Sequence, residues 1–93
     1  MKTIWKYDLP FRDSISLQVP VGAIPLTVMQ DQKDMMPRIW MLVDTEQPKE
    51  TRSFELFGTG NPIHCDMGIE RKYIGTYQYQ GGEFVGHIFE RIQ

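Results

Sequence analysis

The dominant rhythm of the chain is a period of two. Residues 2–9 set Thr3, Trp5, Tyr7 and Leu9 against Lys2, Lys6 and Asp8, with Ile4 breaking the alternation. Successive side chains of a strand point to opposite faces, so this pattern predicts a strand with one buried face. Pro10 ends it by removing a backbone donor. Residues 14–19 alternate Ile15, Leu17 and Val19 with Ser14, Ser16 and Gln18, and Pro20-Val21-Gly22 follows as a turn. A third strand, 23–30, places Ile24, Leu26 and Val28 on one side. Pro25 assigns it to an edge or a bulge. Ile39 to Val43 is an unbroken apolar run, the mark of a central strand covered on both faces. Residues 51–57 alternate Arg52, Phe54 and Leu56 with Thr51, Ser53 and Glu55. Residues 72–80 and 83–92 are two aromatic-rich strands joined by Gly81-Gly82, read as a two-residue hairpin of the primed type.

About seven short strands result, and no run is long enough for a stable helix. Asp66 caps at most one helical turn near 64–70, because Gly68 follows closely. The expected fold is all-β: a small antiparallel sandwich or partly open barrel. Most links suit antiparallel neighbours, giving a meander with one excursion at 58–71. Residues 1–93 are read as a single domain.

Composition narrows the function more than it names one. Ten Lys and Arg against twelve Asp and Glu give a net charge of -2. That argues against a nonspecific nucleic-acid coat, which needs a dense basic surface to displace counterions. The lone cysteine, Cys65, excludes an intrachain disulfide and a multi-cysteine zinc site. No apolar run has the roughly 18–20 residues of a membrane span, and residues 1–8 do not form a secretory leader. The expected setting is cytoplasmic, with no membrane partner and no cofactor.

Three catalytic or ligand-binding readings compete with a plain binding role. His64, Cys65 and His87 are the ingredients of a thiol hydrolase, but adjacent residues in extended chain point apart, so His64 does not serve Cys65. His64, Asp66 and His87 offer three metal ligands without a recognised spacing. Gly58-Thr59-Gly60-Asn61-Pro62 lacks the third glycine and the helix of a dinucleotide loop. It leaves an anion-binding nest of Gly58, Thr59 and Gly60, with Arg38 and Arg71 as cations, for an oligomer that sequesters a nucleotide signal. Candidate partner contacts are the loop methionines Met35 and Met36, the strand pair Tyr77 and Tyr79, and acidic residues in two loops flanking the fourth strand. Those acids are Asp31, Asp34, Asp44 and Glu46, with Glu50 beside them. An acidic face of this kind imitates phosphate toward a basic host protein. A homodimer through a sheet edge or through the Tyr77/Tyr79 face is expected to relieve the marginal size of the domain.

The segments Ile4-Trp5-Lys6-Tyr7, Val19-Pro20-Val21-Gly22-Ala23, Ile39 to Asp44, Gly58 to Ile63, Tyr73 to Gln78 and His87 to Glu90, in that order, resemble a family of small uncharacterised bacteriophage and prophage proteins. Met35-Met36-Pro37 and Cys65–Arg71 are less typical of it. The family supplies no catalytic residues. The resemblance implies a phage accessory protein acting by contact with a host protein or complex. The concrete expectation is a counter-defence inhibitor of a bacterial immune system, for example an anti-CRISPR.

Overall fold

Among the described residues seven strands form where the alternation places them. The computed structural model describes residues 1–63 and 70–92. The strands are β1 (Lys2–Asp8), β2 (Ser14–Pro20), β3 (Ile24–Gln30), β4 (Pro37–Asp44), β5 (Lys49–Gly58), β6 (Arg71–Tyr79) and β7 (Phe84–Arg91), with a 3-10 turn at Gln80–Gly82. They make two antiparallel sheets, one of three strands in the order β1-β4-β3 and one of four in the order β2-β5-β7-β6. No described helix is long and apolar enough to cross a membrane.

The topology corrects the expected meander. Among the described residues only β3/β4 and β6/β7 are hairpins. The links at 9–13, 21–23 and 45–48 each carry the chain from one sheet to the other. A strand with a single apolar face is served by this exchange, because each crossing turns that face toward the shared interior. Leu9 and Ala23, in two of these links, are themselves buried there. One cluster of buried side chains draws on both sheets: Val28, Ile39, Met41 and Val43 from the first, and Ile15, Val19, Phe54, Leu56, Tyr77 and Ile88 from the second.

Pro25 lies on a marginal strand and beside a bulge, as expected. The register slips between Pro25 and Thr27, which leaves Leu26 unpaired. A second slip falls between Tyr73 and Gly75 on β6. The two irregularities sit where β3 and β6 run side by side. A Cβ built on Gly75 would stand 3.2 Å from the Val28 Cβ. Bulges and glycines are what let two sheets approach at such a corner.

The β6–β7 link is also corrected. Tyr79 and Phe84 are the last pair, so four residues intervene rather than two. Gln80 itself enters the left-handed region (φ 53°), followed by Gly81 and Gly82 at 67° and 96°. The glycines therefore continue a turn begun one residue earlier. The predicted helical turn near 64–70 falls, apart from Glu70, outside the described residues.

An ion pair lies on the inner side of the four-stranded sheet. Arg52 faces the interior opposite Leu17. Its Nε and Nη2 donate to the Glu90 carboxylate at 2.6 and 2.9 Å, and its Nη1 donates to the Ala23 carbonyl. A fork that satisfies a carboxylate and a link carbonyl together ties β5, β7 and the 21–23 crossing.

Candidate functional site

β4 alternates strictly between buried and half-buried positions. Ile39, Met41 and Val43 enter the core, while Trp40 and Leu42 face the other way. The apolar run from Ile39 to Val43 is therefore central, as predicted, but covered fully on one side only. The register assembles what lies on the open side. Ile4, Leu42 and Ile24 form one row across β1, β4 and β3, and Trp40 lies beside Thr27. Leu26, freed by the bulge, and Met29, opposite Arg38, extend the apolar surface along β3. Ile4 is 55% exposed, Ile24 53% and Leu26 47%. Contiguous apolar surface of this kind, rimmed by charge, marks interaction sites.

Much of the rim consists of internally neutralised pairs. Lys6 Nζ donates to Asp31 Oδ2 at 2.5 Å. Arg38 bridges Asp8 at 2.9 Å and Asp34 at 2.7 Å. The Met1 amine lies 3.5 Å from Asp44. The Lys6 hydrogen bond holds the Asp31 carboxyl below the usual carboxylate range. A backbone N–H from Met36 does the same for Asp34, and one from Glu46 for Asp44. These contacts correct the expected acidic face. Asp31 is buried, not solvated. The 31–36 and 45–48 loops lie at opposite ends of an eight-residue strand, about 23 Å apart at 3.3 Å per residue. Asp31 and Asp34 do not form one patch with Asp44, Glu46 and Glu50.

Tyr77 and Tyr79 do share a face, but it is the inner one. Tyr77 is 2% exposed, with its hydroxyl buried and no hydrogen-bond partner among the described residues. Burial pushes its pKa up to about 12. Tyr79 is half-buried, with its hydroxyl 3.9 Å from Met36 Sδ and its ring 4.9 Å from Phe11. The Tyr77/Tyr79 face is accordingly not a docking or dimer surface. Met35 and Met36 are exposed, at 48% and 38%. They sit past the Arg38 end of β4, and Met35 holds a positive φ of 63° in a loop tied by Asp31 and Met36 backbone bonds.

The proposed anion set is dispersed. Gly58 pairs with Gly86 in the same row as Tyr77, whereas Arg71 pairs with Arg91, six residues along β6 and about 20 Å away. Arg71 is occupied with the buried Glu55 at 2.5 Å, and Arg38 belongs to the other sheet. Gly58, Thr59, Gly60, Arg38 and Arg71 thus do not converge. His87 lies between two hydroxyls, Thr59 Oγ1 at 2.7 Å from Nε2 and Thr76 Oγ1 at 2.9 Å from Nδ1, with Tyr73 hydrogen-bonded to Thr76 in turn. It is a strand histidine satisfied by neighbouring hydroxyls. His64, Cys65 and Asp66 lie outside the described residues. Among the described ones no three His, Cys, Asp or Glu side chains gather as a metal-binding group.

Some residues of the open face stand out in the sequence as anomalies. Ile4 interrupts its alternation, and Trp40 and Leu42 make the β4 run unbroken. Ile24 and Leu26 were placed with Val28, and only the bulge separates them.

No curated protein and no solved structure matches the chain. A family model matches it over residues 1–93, and the chain belongs to that family, described as a domain of unknown function, DUF7352.

Proposed function

We propose that this protein is a non-enzymatic binding domain that docks a folded partner protein on the outer face of its three-stranded sheet. The observation that carries the reading is the Ile39–Val43 run of β4, apolar on both faces with only one of them fully covered, its open face continued by Ile4, Ile24 and Leu26. A strand buried on both sides reads as a continuous apolar run. Here the second cover is supplied by a partner. The chemistry of that partner follows from the face. Most of the charges around it, Lys6, Asp31, Arg38, Asp8 and Asp34, are already paired within the chain, so the docking surface is apolar at its centre and asks for no dense basic patch. The resemblance to phage accessory proteins supplies the setting: a bacterial defence complex, inhibited by occupation of a protein surface.

The test is a titration of purified protein into bacterial immune effector complexes, CRISPR-Cas effectors first, followed by target-DNA cleavage and co-elution. The wild type is expected to inhibit and co-elute. Ile24→Glu with Leu26→Glu, at two exposed positions, is expected to weaken binding at least tenfold while leaving the melting temperature nearly unchanged. Full binding by the double variant removes the face from the reading. Wild type that inhibits none of the effector classes removes the defence setting.

A further inference from the structure

The edge of β1 carries a second surface, independent of what covers the apolar face. Leu9 N–H donates to the Pro37 carbonyl at 3.2 Å, and Thr45 N–H donates to the Met1 carbonyl at 2.8 Å. In an antiparallel pair the bonding groups alternate along the strand. Odd-numbered residues of β1 therefore turn their backbone toward β4, and Lys2, Ile4, Lys6 and Asp8 turn theirs outward. Among the described residues β4 is its one hydrogen-bonded strand partner, and β1 stands at the margin of the sheet. Five of its seven residues are exposed. The strand contains no proline and its pairing no bulge. The β3 and β6 margins lie against each other, and β2 ends in Pro20. Lysines on a strand edge normally discourage pairing with another chain. On β1 that guard is weakened, because Lys6 is neutralised by Asp31 at 2.5 Å.

We infer that β1 pairs antiparallel with β1 of a second copy about a two-fold axis at Trp5, joining two three-stranded sheets into one of six. The register is set by self-complementarity. Pairing centred on Trp5 brings Lys2 opposite Asp8 of the second copy, twice over, since a two-fold interface repeats each contact. Ile4 meets Lys6, Thr3 meets Tyr7, and Trp5 meets Trp5. Every outward backbone group from Lys2 to Asp8 is then used, giving about eight hydrogen bonds at two per bonded pair. Asp8 is 84% exposed at its side chain and reaches both its own Arg38 and the incoming lysine. Trp5, on the inner side of the sheet yet 38% exposed at its margin, gains the facing indole as cover.

Light scattering between low micromolar and ~100 μM reads the assembly. Wild type is expected to approach twice its 10.9 kDa mass. Ile4→Pro removes an outward N–H while sparing the β1–β4 ladder, and is expected to raise the dimer dissociation constant at least tenfold with an unchanged far-UV spectrum. Disulfide trapping in a Cys65→Ser background tests the register without relying on that fold. Trp5 faces itself in a non-hydrogen-bonded pair with Cα atoms about 4.5 Å apart, within disulfide reach. Trp5→Cys is expected to crosslink on oxidation. Lys2→Cys is not, since its two copies are about 20 Å apart in this register. A chain that stays at 10.9 kDa throughout overturns the inference. So does a dimer indifferent to Ile4→Pro, or equal crosslinking by the two cysteine variants.

Discussion

The Tyr77 ring lies across Gly86 of the neighbouring strand, and its hydroxyl is sealed in with no partner among the described residues. A buried unpaired hydroxyl costs about 1–3 kcal/mol, whereas the ring's apolar area is stabilising. Tyr77→Phe keeps the ring and discards the liability. It is expected to be as stable as wild type at neutral pH, or more stable by about 1 kcal/mol in urea denaturation. Titration supplies a second signature. The folded-state pKa is pushed to about 12 from an ordinary 10. Between those values the unfolded chain has lost the proton and the folded one keeps it, so stability falls as pH rises through that window. Phenylalanine removes this contribution, leaving that of Tyr7, whose pKa burial also raises. A loss of more than about 1 kcal/mol in Tyr77→Phe at pH 7 would show that the hydroxyl has a partner after all.

At the scale of elements, the same contact explains a glycine in the middle of β7. A Cβ on Gly86 would stand 2.8 Å from both the Leu56 Cδ1 and the Tyr77 Cζ. Gly86→Ala forces the ring and the leucine apart and is expected to cost about 1–3 kcal/mol, seen as a lower urea midpoint with an unchanged slope. An alanine variant as stable as wild type would mean the β6–β7 pair yields easily. Such a contact was not legible in the sequence, because it depends on register between strands. The strands themselves were legible, since period-two patterning is local. Pro25 announced its bulge for the same reason. Strand order was not, because links of three to five residues serve a hairpin or a crossing equally well. Parity without direction misled at Tyr77 and Tyr79: their shared face was readable, but which side of the sheet it occupied depended on how the two layers assemble. The open face of β4 was half legible. Ile4, Trp40 and Leu42 were flagged by breaking the alternation, whereas Ile24 and Leu26 obeyed it, and only the assembled layers reveal that one side of the run has no cover.

Across the whole molecule, the carboxylates with lowered pKa belong to one sheet, Asp31 and Asp34 in the 31–36 loop and Asp44 at the far end of β4. Asp31 is held chiefly by Lys6 of β1, Asp34 chiefly by the Met36 N–H with help from Arg38 of β4, and Asp44 chiefly by the Glu46 N–H with help from the Met1 amine. Each is more acidic folded than unfolded. In the acid range the unfolded chain therefore binds more protons than the folded one, and stability rises with pH there. The contribution is complete above about pH 4, near the unfolded carboxylate value, and is lost as pH falls through the lower folded values. Its location predicts the order of failure. Protonating Asp31 releases Lys6 and the 31–36 loop together, since Asp31 Oδ1 also accepts from the Lys33 N–H. The three-stranded sheet should loosen before the four-stranded one, and amide exchange at pH 3 is expected to lose protection in β1 and the Pro37 end of β4 first. Asp31→Asn separates this linkage from general acid denaturation. The variant is expected to melt lower than wild type at pH 7, where the ion pair is intact, and to show a shallower loss of melting temperature from pH 5 to pH 2.5. Parallel acid limbs for the two proteins would place the pH sensitivity elsewhere than in the Lys6–Asp31 tie.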